Sequence, residues 1–241
     1  VMATPIGNMA DISQRALQVL QDVDRIAAED TRITAKLLAR YGIKTPMLRH
    51  EKHNQRASAK GLVKLMVEGA QVALVSDAGT PMVSDPGFKL VRDALDEGFN
   101  VTALPGASSL LAALVVAGLP TDRFFFGGFL PAKQEARRKD LTELSAIPAT
   151  MVFLESANRL AAVLADMAAT LGEREVAVAR ELTKKFEEVR KGPLADIAQH
   201  YAEAGSTEAH TSEHQSRPHL VCRPLLEKKN NAHINTTPPN H

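Results

Sequence analysis

Three loops of small and hydroxyl-bearing residues, each leaving a short apolar run, hold most of the side chains that could do chemistry in this chain. The longest, Ser76-Asp77-Ala78-Gly79-Thr80-Pro81-Met82-Val83-Ser84-Asp85-Pro86-Gly87, directly follows apolar residues 71–75. Small residues let the backbone approach a ligand, prolines fix the turn, and Asp77, Thr80 and Asp85 offer polar groups. A tight turn whose Asp caps the next helix accounts for the same residues without a ligand. A second loop, Pro105-Gly106-Ala107-Ser108-Ser109, leaves residues 100–104 and opens a helix of small apolar residues. Its amides and hydroxyls suit a polar ligand group, and Ser108 or Ser109 suits a helix cap equally. Thr4-Pro5-Ile6-Gly7-Asn8 leaves a short strand in the same way. Three such loops after three strands point to one ligand cleft.

Several chemistries are disfavoured. There is no Gly-x-Gly-x-x-Gly fingerprint, no phosphate loop ending Gly-Lys-Ser/Thr, no Gly-x-Ser-x-Gly elbow and no His-Glu-x-x-His helix. Groups able to move a proton or steady a negative charge are Glu29, Asp30 and Arg32 on one side of the expected cleft and Lys133, Glu155 and Arg159 on the other. Each also reads as a surface ion pair or helix cap. The net charge is +1, so RNA binding would need local basic patches. One runs through Lys133, Arg137, Arg138 and Lys139, and a second through Arg180, Lys184, Lys185, Arg190 and Lys191; either could be a solvated helix face. The first suits phosphate contact. With two tyrosines and no tryptophan, base stacking falls to phenylalanines such as Phe124, Phe125 and Phe126, which also read as a buried strand.

The elements that must position these groups alternate. Helical periods over residues 12–20 and 57–67 are interleaved with short apolar runs at 71–75, 100–104 and 150–154. That is α/β patterning, and strands separated by helices favour a largely parallel sheet with ligand loops at the strands' carboxyl ends. A boundary is expected near residues 118–122, where a small-residue helix (108–117) ends in Gly-Leu-Pro. The expectation is one α/β unit over 1–118 and a second over 119–205, without an internal repeat. Beyond residue 205 no period persists, so 206–241 reads as an atypical tail. Its scattered His210, His214, His219 and His233 have no predicted element to fix them, and no metal site is expected. A single cysteine, Cys222, rules out an intrachain disulfide and agrees with a reducing compartment. No apolar run approaches the roughly 20 residues of a membrane span and no secretory pattern opens the chain, so a cytoplasmic protein with no membrane partner is expected.

Six segments occur in a telling order: Ala3-Thr4-Pro5-Ile6-Gly7-Asn8, Ala28-Glu29-Asp30-Thr31-Arg32, the loop from Ser76 to Gly87, Gly127-Gly128-Phe129-Leu130-Pro131, Phe153-Leu154-Glu155-Ser156, and Arg180-Glu181-Leu182-Thr183-Lys184. Together they resemble the ribosomal RNA small subunit methyltransferase I family of the tetrapyrrole methylases. The resemblance spans roughly residues 1–205. It implies a two-domain α/β fold, each domain a mixed or parallel sheet flanked by helices, with S-adenosylmethionine in the cleft between them, and a homodimer. It also implies methyl transfer to the ribose 2′-oxygen of a cytidine in 16S ribosomal RNA of the assembled small subunit. By position, Pro5, Ile6, Gly79, Thr80, Pro81, Val83, Ser108 and Ser109 would border the cofactor, with Phe153 and Leu154 lining it from the second domain. The rival readings are methylation of a porphyrin-like ring or of a modified histidine on a translation factor, a non-catalytic RNA-binding or ribosome assembly factor that retains the cleft, and a metal-dependent hydrolase using Glu29 and Asp30.

The chain departs from the family pattern in three places. Ala107 replaces a proline, Ala157-Asn158 replaces Pro-His, and after Gly205 the expected final apolar strand is not apparent. A frameshifted or replaced terminus would explain the last. The chain also opens inside the first expected strand.

Overall fold

The structure is a computed structural model that describes residues 1–51, 53–205 and 219–224. Short strands alternate with amphipathic helices through most of it. Helix α1 (Gln14–Asp22) precedes strand β1 (Arg25–Ala28), followed by α2 (Thr31–Arg40), β2 (Met47–Arg49), α3 (Gln55–Val67), β3 (Val72–Val75) and α4 (Phe88–Asp96). Then come α5 (Ser109–Val116), β4 (Phe124–Phe129), α6 (Gln134–Leu144), β5 (Thr150–Leu154), α7 (Ala157–Leu171) and β6 (Arg174–Arg180). The described chain closes with β7 (Glu188–Pro193), α8 (Leu194–Gly205) and β8 (His219–Pro224).

The first sheet has the order β2-β1-β3, all parallel. Both faces are covered, so its strands alternate between two cores rather than between core and water. Ile26, Ala28, Ala73 and Val75 pack with Ala16 and Leu20 of α1, and Ala27 and Leu74 pack with Ala59 and Leu62 of α3 and Leu90 of α4. The opening residues continue this sheet. The Met2 amide donates to the Leu74 carbonyl at 3.0 Å, and Met2 bridges Leu104 in parallel. The strand expected over 100–104 is thereby reduced to a bridge at Leu104. The loops after β3, after Thr4 and after Leu104 therefore leave the same end of one sheet.

The second sheet has the order β4-β5-β8-β6-β7. Strand β4 runs parallel to β5, whereas β8 lies antiparallel to both β5 and β6, and β7 is antiparallel to β6. Its two faces again divide by alternation. Met151, Phe153, Val176 and Val178 meet Leu164 and Met167 of α7 and Ile197 and Tyr201 of α8. Val152, Ala177 and Ala179 meet Ala113 and Leu114 of α5 and Ala117 just past its end. Helix α5, though it precedes Gly118, thus packs on the second sheet.

Strand β8 corrects the expectation that no apolar strand follows Gly205. Its pairing residues Leu220, Val221 and Cys222 form a run too short to show a period, and position between two strands supplies what pattern does not. The rest of the expected tail, 206–218 and 225–241, with His210, His214 and His233, lies outside the described residues.

Candidate active site

The loops singled out in the sequence meet. Thr4 and Gly79 exchange backbone hydrogen bonds of 2.9 and 3.0 Å, and the Thr4 hydroxyl donates to the Ser76 carbonyl at 3.1 Å. The Thr80 hydroxyl donates to the Ala107 carbonyl at 3.4 Å, tying the second loop to the third. Gly79, at φ +80°, lies so close to its neighbours that a Cβ there would stand 3.2 Å from Ile6 Cγ2 and 3.7 Å from the Ala107 carbonyl.

Two segments of the second sheet complete the ring. A Cβ at Gly128 (φ +63°) would stand 3.2 Å from Ser84 Oγ, so the Gly127-to-Pro131 stretch leans on the long loop. A Cβ at Gly7 would stand 2.7 Å from Lys184 Cγ and 3.0 Å from the Leu182 carbonyl, so the turn after β6 lies on the Thr4-to-Asn8 loop. Among the described residues four non-glycine positions take positive φ, and all lie in these loops: Met82 (75°), Ser84 (64°), Glu181 (54°) and Thr183 (63°). Such geometry costs about 1–3 kcal/mol per residue and persists where surrounding structure enforces it, typically at ligand clamps. Thr183 Oγ1 is moreover buried without a hydrogen-bond partner.

Most expected cofactor-lining residues fall in this ring. Pro5, Ile6, Ser108 and Ser109 are half-buried, Thr80 and Val83 are exposed, and Gly79 and Pro81 are buried. Ser108 also caps α5, accepting from the Leu111 amide at 3.4 Å, so the cap and the loop are one feature. Phe153 is different. It is fully buried in the core beneath α7 and fills the space at Gly127, where a Cβ would stand 2.4 Å from its ring, so it supports the cleft wall from behind. Leu154 ends β5 and is also buried.

The expected proton-handling groups separate into distinct roles. Asp30 caps α2 through the Arg32 amide at 2.8 Å and grips the Arg32 guanidinium at 2.6 Å. Hydrogen bonds from the Arg32 side chain and then its backbone hold the Asp30 carboxyl at about 2. A carboxylate that acidic is a poor proton acceptor. Asp77, from the long loop, fixes the Asp30 amide at 2.9 Å. Glu155 is buried; its Oε1 accepts from the Ser156 amide at 2.7 Å and hydroxyl at 3.2 Å, and its Oε2 lies 3.3 Å from Arg159. Arg159 in turn donates to the Leu130 and Pro131 carbonyls, each at 3.0 Å. This pair therefore holds the Gly127-to-Pro131 stretch in place. Glu29 is half-buried just past β1.

The basic patches also change character. Lys133, Arg138 and Lys139 are exposed on or beside α6, but Arg137 is 5% exposed. Its guanidinium donates to Asp166 at 2.8 Å and to the Pro131 and Ala132 carbonyls, which removes it from RNA contact. Helical spacing alone places it with its neighbours; only the buried Asp166 of α7 shows which way it faces. The second patch is not a helix face but the β6–β7 hairpin. There Arg180 and Arg190 pair with Glu188, and Lys184 with Glu181. The sequence reading missed Thr183, whose signal was an ordinary residue in an Arg-Glu-Leu-Thr-Lys run, and the exposed Phe186 beyond it. Phe125 packs toward the core below α7, leaving Phe124, 42% exposed, as the open end of its run.

Known proteins share both the sequence and this architecture. The family described as Tetrapyrrole (Corrin/Porphyrin) Methylases matches residues 1–198. A Mesorhizobium japonicum protein named "Ribosomal RNA small subunit methyltransferase I" is 50% identical over 205 residues, covering 85% of this chain and 70% of that one. The chain belongs to the ribosomal RNA small subunit methyltransferase I branch of the tetrapyrrole methylases. An Escherichia coli O157:H7 relative of the same name is 49% identical over 198 residues, covering 82% and 69% of the two chains. Uroporphyrin-III C-methyl transferase from Thermus thermophilus, solved with S-adenyl homocysteine, superposes with a TM-score of 0.59 at 19% identity, covering 91% of this chain and 95% of that one. That likeness carries the tetrapyrrole methylase fold. Among the described residues no helix is long and apolar enough to cross a membrane, and no group of three or more His, Cys, Asp or Glu could hold a metal.

Proposed function

We propose that this chain transfers a methyl group from S-adenosylmethionine to the ribose 2′-oxygen of a cytidine in 16S ribosomal RNA. The observation that carries the reading is near-half identity, over 205 and 198 residues, to proteins named for small-subunit ribosomal RNA methylation. The loop ring suits the cofactor. It combines apolar Pro5, Ile6 and Val83 with the hydroxyls of Thr80 and Ser109, and Thr183 leaves a buried hydroxyl in want of a partner. S-adenosylmethionine supplies an electrophilic methyl on a sulfonium.

The chain's own part is positioning and proton handling. In-line attack requires the ribose hydroxyl to be held against the methyl, and orientation alone can lower a barrier by several kcal/mol. The strained loops of both sheets serve this purpose. Glu29, half-buried just past β1, is the carboxylate this reading assigns to proton removal, Asp30 being too acidic for the task. Lys133 and Lys139 are exposed for phosphate contact, whereas Arg138, though exposed, gives its Nε to Asp166 at 2.7 Å; the exposed Arg32 stands in the first turn of α2. The reading keeps one unit over 1–118 and a second over 119–205, with α5 of the first packed on the sheet of the second and the cofactor lying between their loops in a cytoplasmic enzyme. Exposed Leu111, Val115 and Val116 on α5 form the apolar face that supports a homodimer.

The test is transfer of labelled methyl from S-adenosylmethionine to unmethylated small ribosomal subunits, with free 16S RNA alongside and nuclease mapping of the product. Label on a cytidine 2′-oxygen is expected. Cofactor binding without transfer would favour the non-catalytic binding factor, and absence of both would end the proposal.

A further inference from the structure

Phe186 stands in the turn between β6 and β7 with 73% of its surface exposed. Isolated exposed apolar residues are ordinary, and this one is set apart by how it is held. The turn is built to one shape. The Thr183 amide donates to Glu187 Oε2 at 2.6 Å, the Lys184 amide to the Glu181 carbonyl at 3.0 Å, and the Glu187 amide to the Lys184 carbonyl at 3.2 Å. Glu181 and Thr183 both sit in the left-handed region, the second a β-branched residue for which that region is a genuine outlier. A rigid, strained turn therefore presents an aromatic ring to solvent.

Its surroundings select the occupant. Lys185 lies with its ammonium over one face of the Phe186 ring, 5.4 Å from the centroid, and Lys184 and Glu187 flank them in sequence. A docking surface for a protein or a second copy of the chain needs contiguous apolar area, and the turn offers one ring among charges. An aromatic face beside cations fits an unpaired nucleobase with its phosphates, since every base has a π-face and every linkage a negative charge. The place is apt as well, because the turn rests on Gly7 at the rim of the loop ring.

We propose that Phe186 is a stacking platform for an unpaired base of the RNA beside the ribose that is methylated, with Lys185 on the adjoining phosphate. This rests on the proposed RNA substrate and deepens it. It also moves the stacking role from the Phe124-to-Phe126 run, which lies in a strand, to a turn.

The experiment compares Phe186→Trp, Phe186→Leu and Phe186→Ala in methyl transfer to unmethylated small subunits, with S-adenosylmethionine binding measured for each. Trp should hold kcat/KM within about twofold. Leu and Ala should each lose about 10- to 100-fold, mostly through KM, the size expected for one stacked base. Cofactor affinity should not change. A Leu variant as active as the parent would overturn the proposal, because Leu keeps the apolar surface and removes only the π-face. Independently of activity, 4-benzoylphenylalanine at position 186 should crosslink on irradiation to small-subunit RNA near the target ribose. Crosslinks only to ribosomal protein or to a second copy, or none at all, would overturn it. Should the parent transfer no methyl, the function proposal fails while the crosslink still decides this one.

Discussion

At the scale of single residues, ionic groups that look alike in the sequence divide by what they touch. Asp30, paired with an arginine that is largely in solvent, is held at about 2 and is a helix cap, not a base. Asp30→Asn keeps a good capping residue, so methyl transfer in a single-turnover assay should stay within about fivefold of the parent. Loss of a true general base would cost about 10²–10⁴. Asp166 is the opposite case: only 1% exposed, it accepts from Gln134, Arg137 and Arg138. Burial alone would raise its pKa, but the hydrogen bonds from Arg138, Arg137 and Gln134 outweigh that and lower it. Its stabilising effect is therefore complete above the unfolded carboxyl value of about 3.9 and is lost as the pH falls from there through the lower folded value. Asp166→Asn strands the buried Arg137 and should cost about 3–5 kcal/mol in urea unfolding at pH 7, with a shallower acid limb than the parent. The cap and ion pair at Asp30 were among the readings its sequence allowed, whereas the fate of Asp166 was not legible, because sequence shows charge but not the partner a helix away.

At the scale of elements, the cleft depends on how closely loops approach one another. Gly128 and Gly42 both have φ near +65°, yet a Cβ at Gly128 would press on Ser84 Oγ and one at Gly42 would meet nothing. Gly128→Ala and Gly42→Ala should thus share a backbone cost of about 1–2 kcal/mol in thermal unfolding. Only Gly128→Ala should also weaken S-adenosylmethionine binding by calorimetry, by about tenfold or more, because it spreads the ring. Equal affinities in the two variants would separate Gly128 from the cofactor. Loop composition was the legible part of this site: runs of Gly, Pro, Ser and Asp after apolar runs announced the ring before any geometry. Strand β5 was legible too, since its both-sided burial gives an uninterrupted apolar run, Thr150–Leu154. Strand β7 was not, because Glu-Val-Arg-Lys-Gly-Pro at a sheet edge carries charge on both faces. Its basic residues consequently read as a helix.

At the scale of the whole molecule, the central question is the strand that closes the second sheet. Strand β8 sits between β5 and β6, pairing Met151 to Leu154 on one side and Arg174 to Ala179 on the other. Sequence reading treated everything past Gly205 as tail, because a central strand of such short apolar length shows no period and gains its identity from its neighbours. Its removal would strip hydrogen-bond partners from two strands whose residues are almost all fully buried. Each orphaned buried backbone group costs about 1–3 kcal/mol, and a domain has about 5–15 kcal/mol to lose. A chain ending at Gly205 should therefore fail to unfold cooperatively in guanidinium, should bind a dye for exposed apolar surface, and should transfer no methyl even with the loop ring intact in sequence. A truncated chain that kept a sharp transition would show instead that β5 and β6, which run parallel because both are antiparallel to β8, can close up and pair directly, and that β8 is an insertion the fold can do without. The first outcome would make the cleft a property of both sheets together: β5 carries Glu155 and, through Arg159, the Gly127-to-Pro131 wall, while β6 carries the Thr183 turn, and only a strand bonded to both keeps those two walls in register across the cofactor.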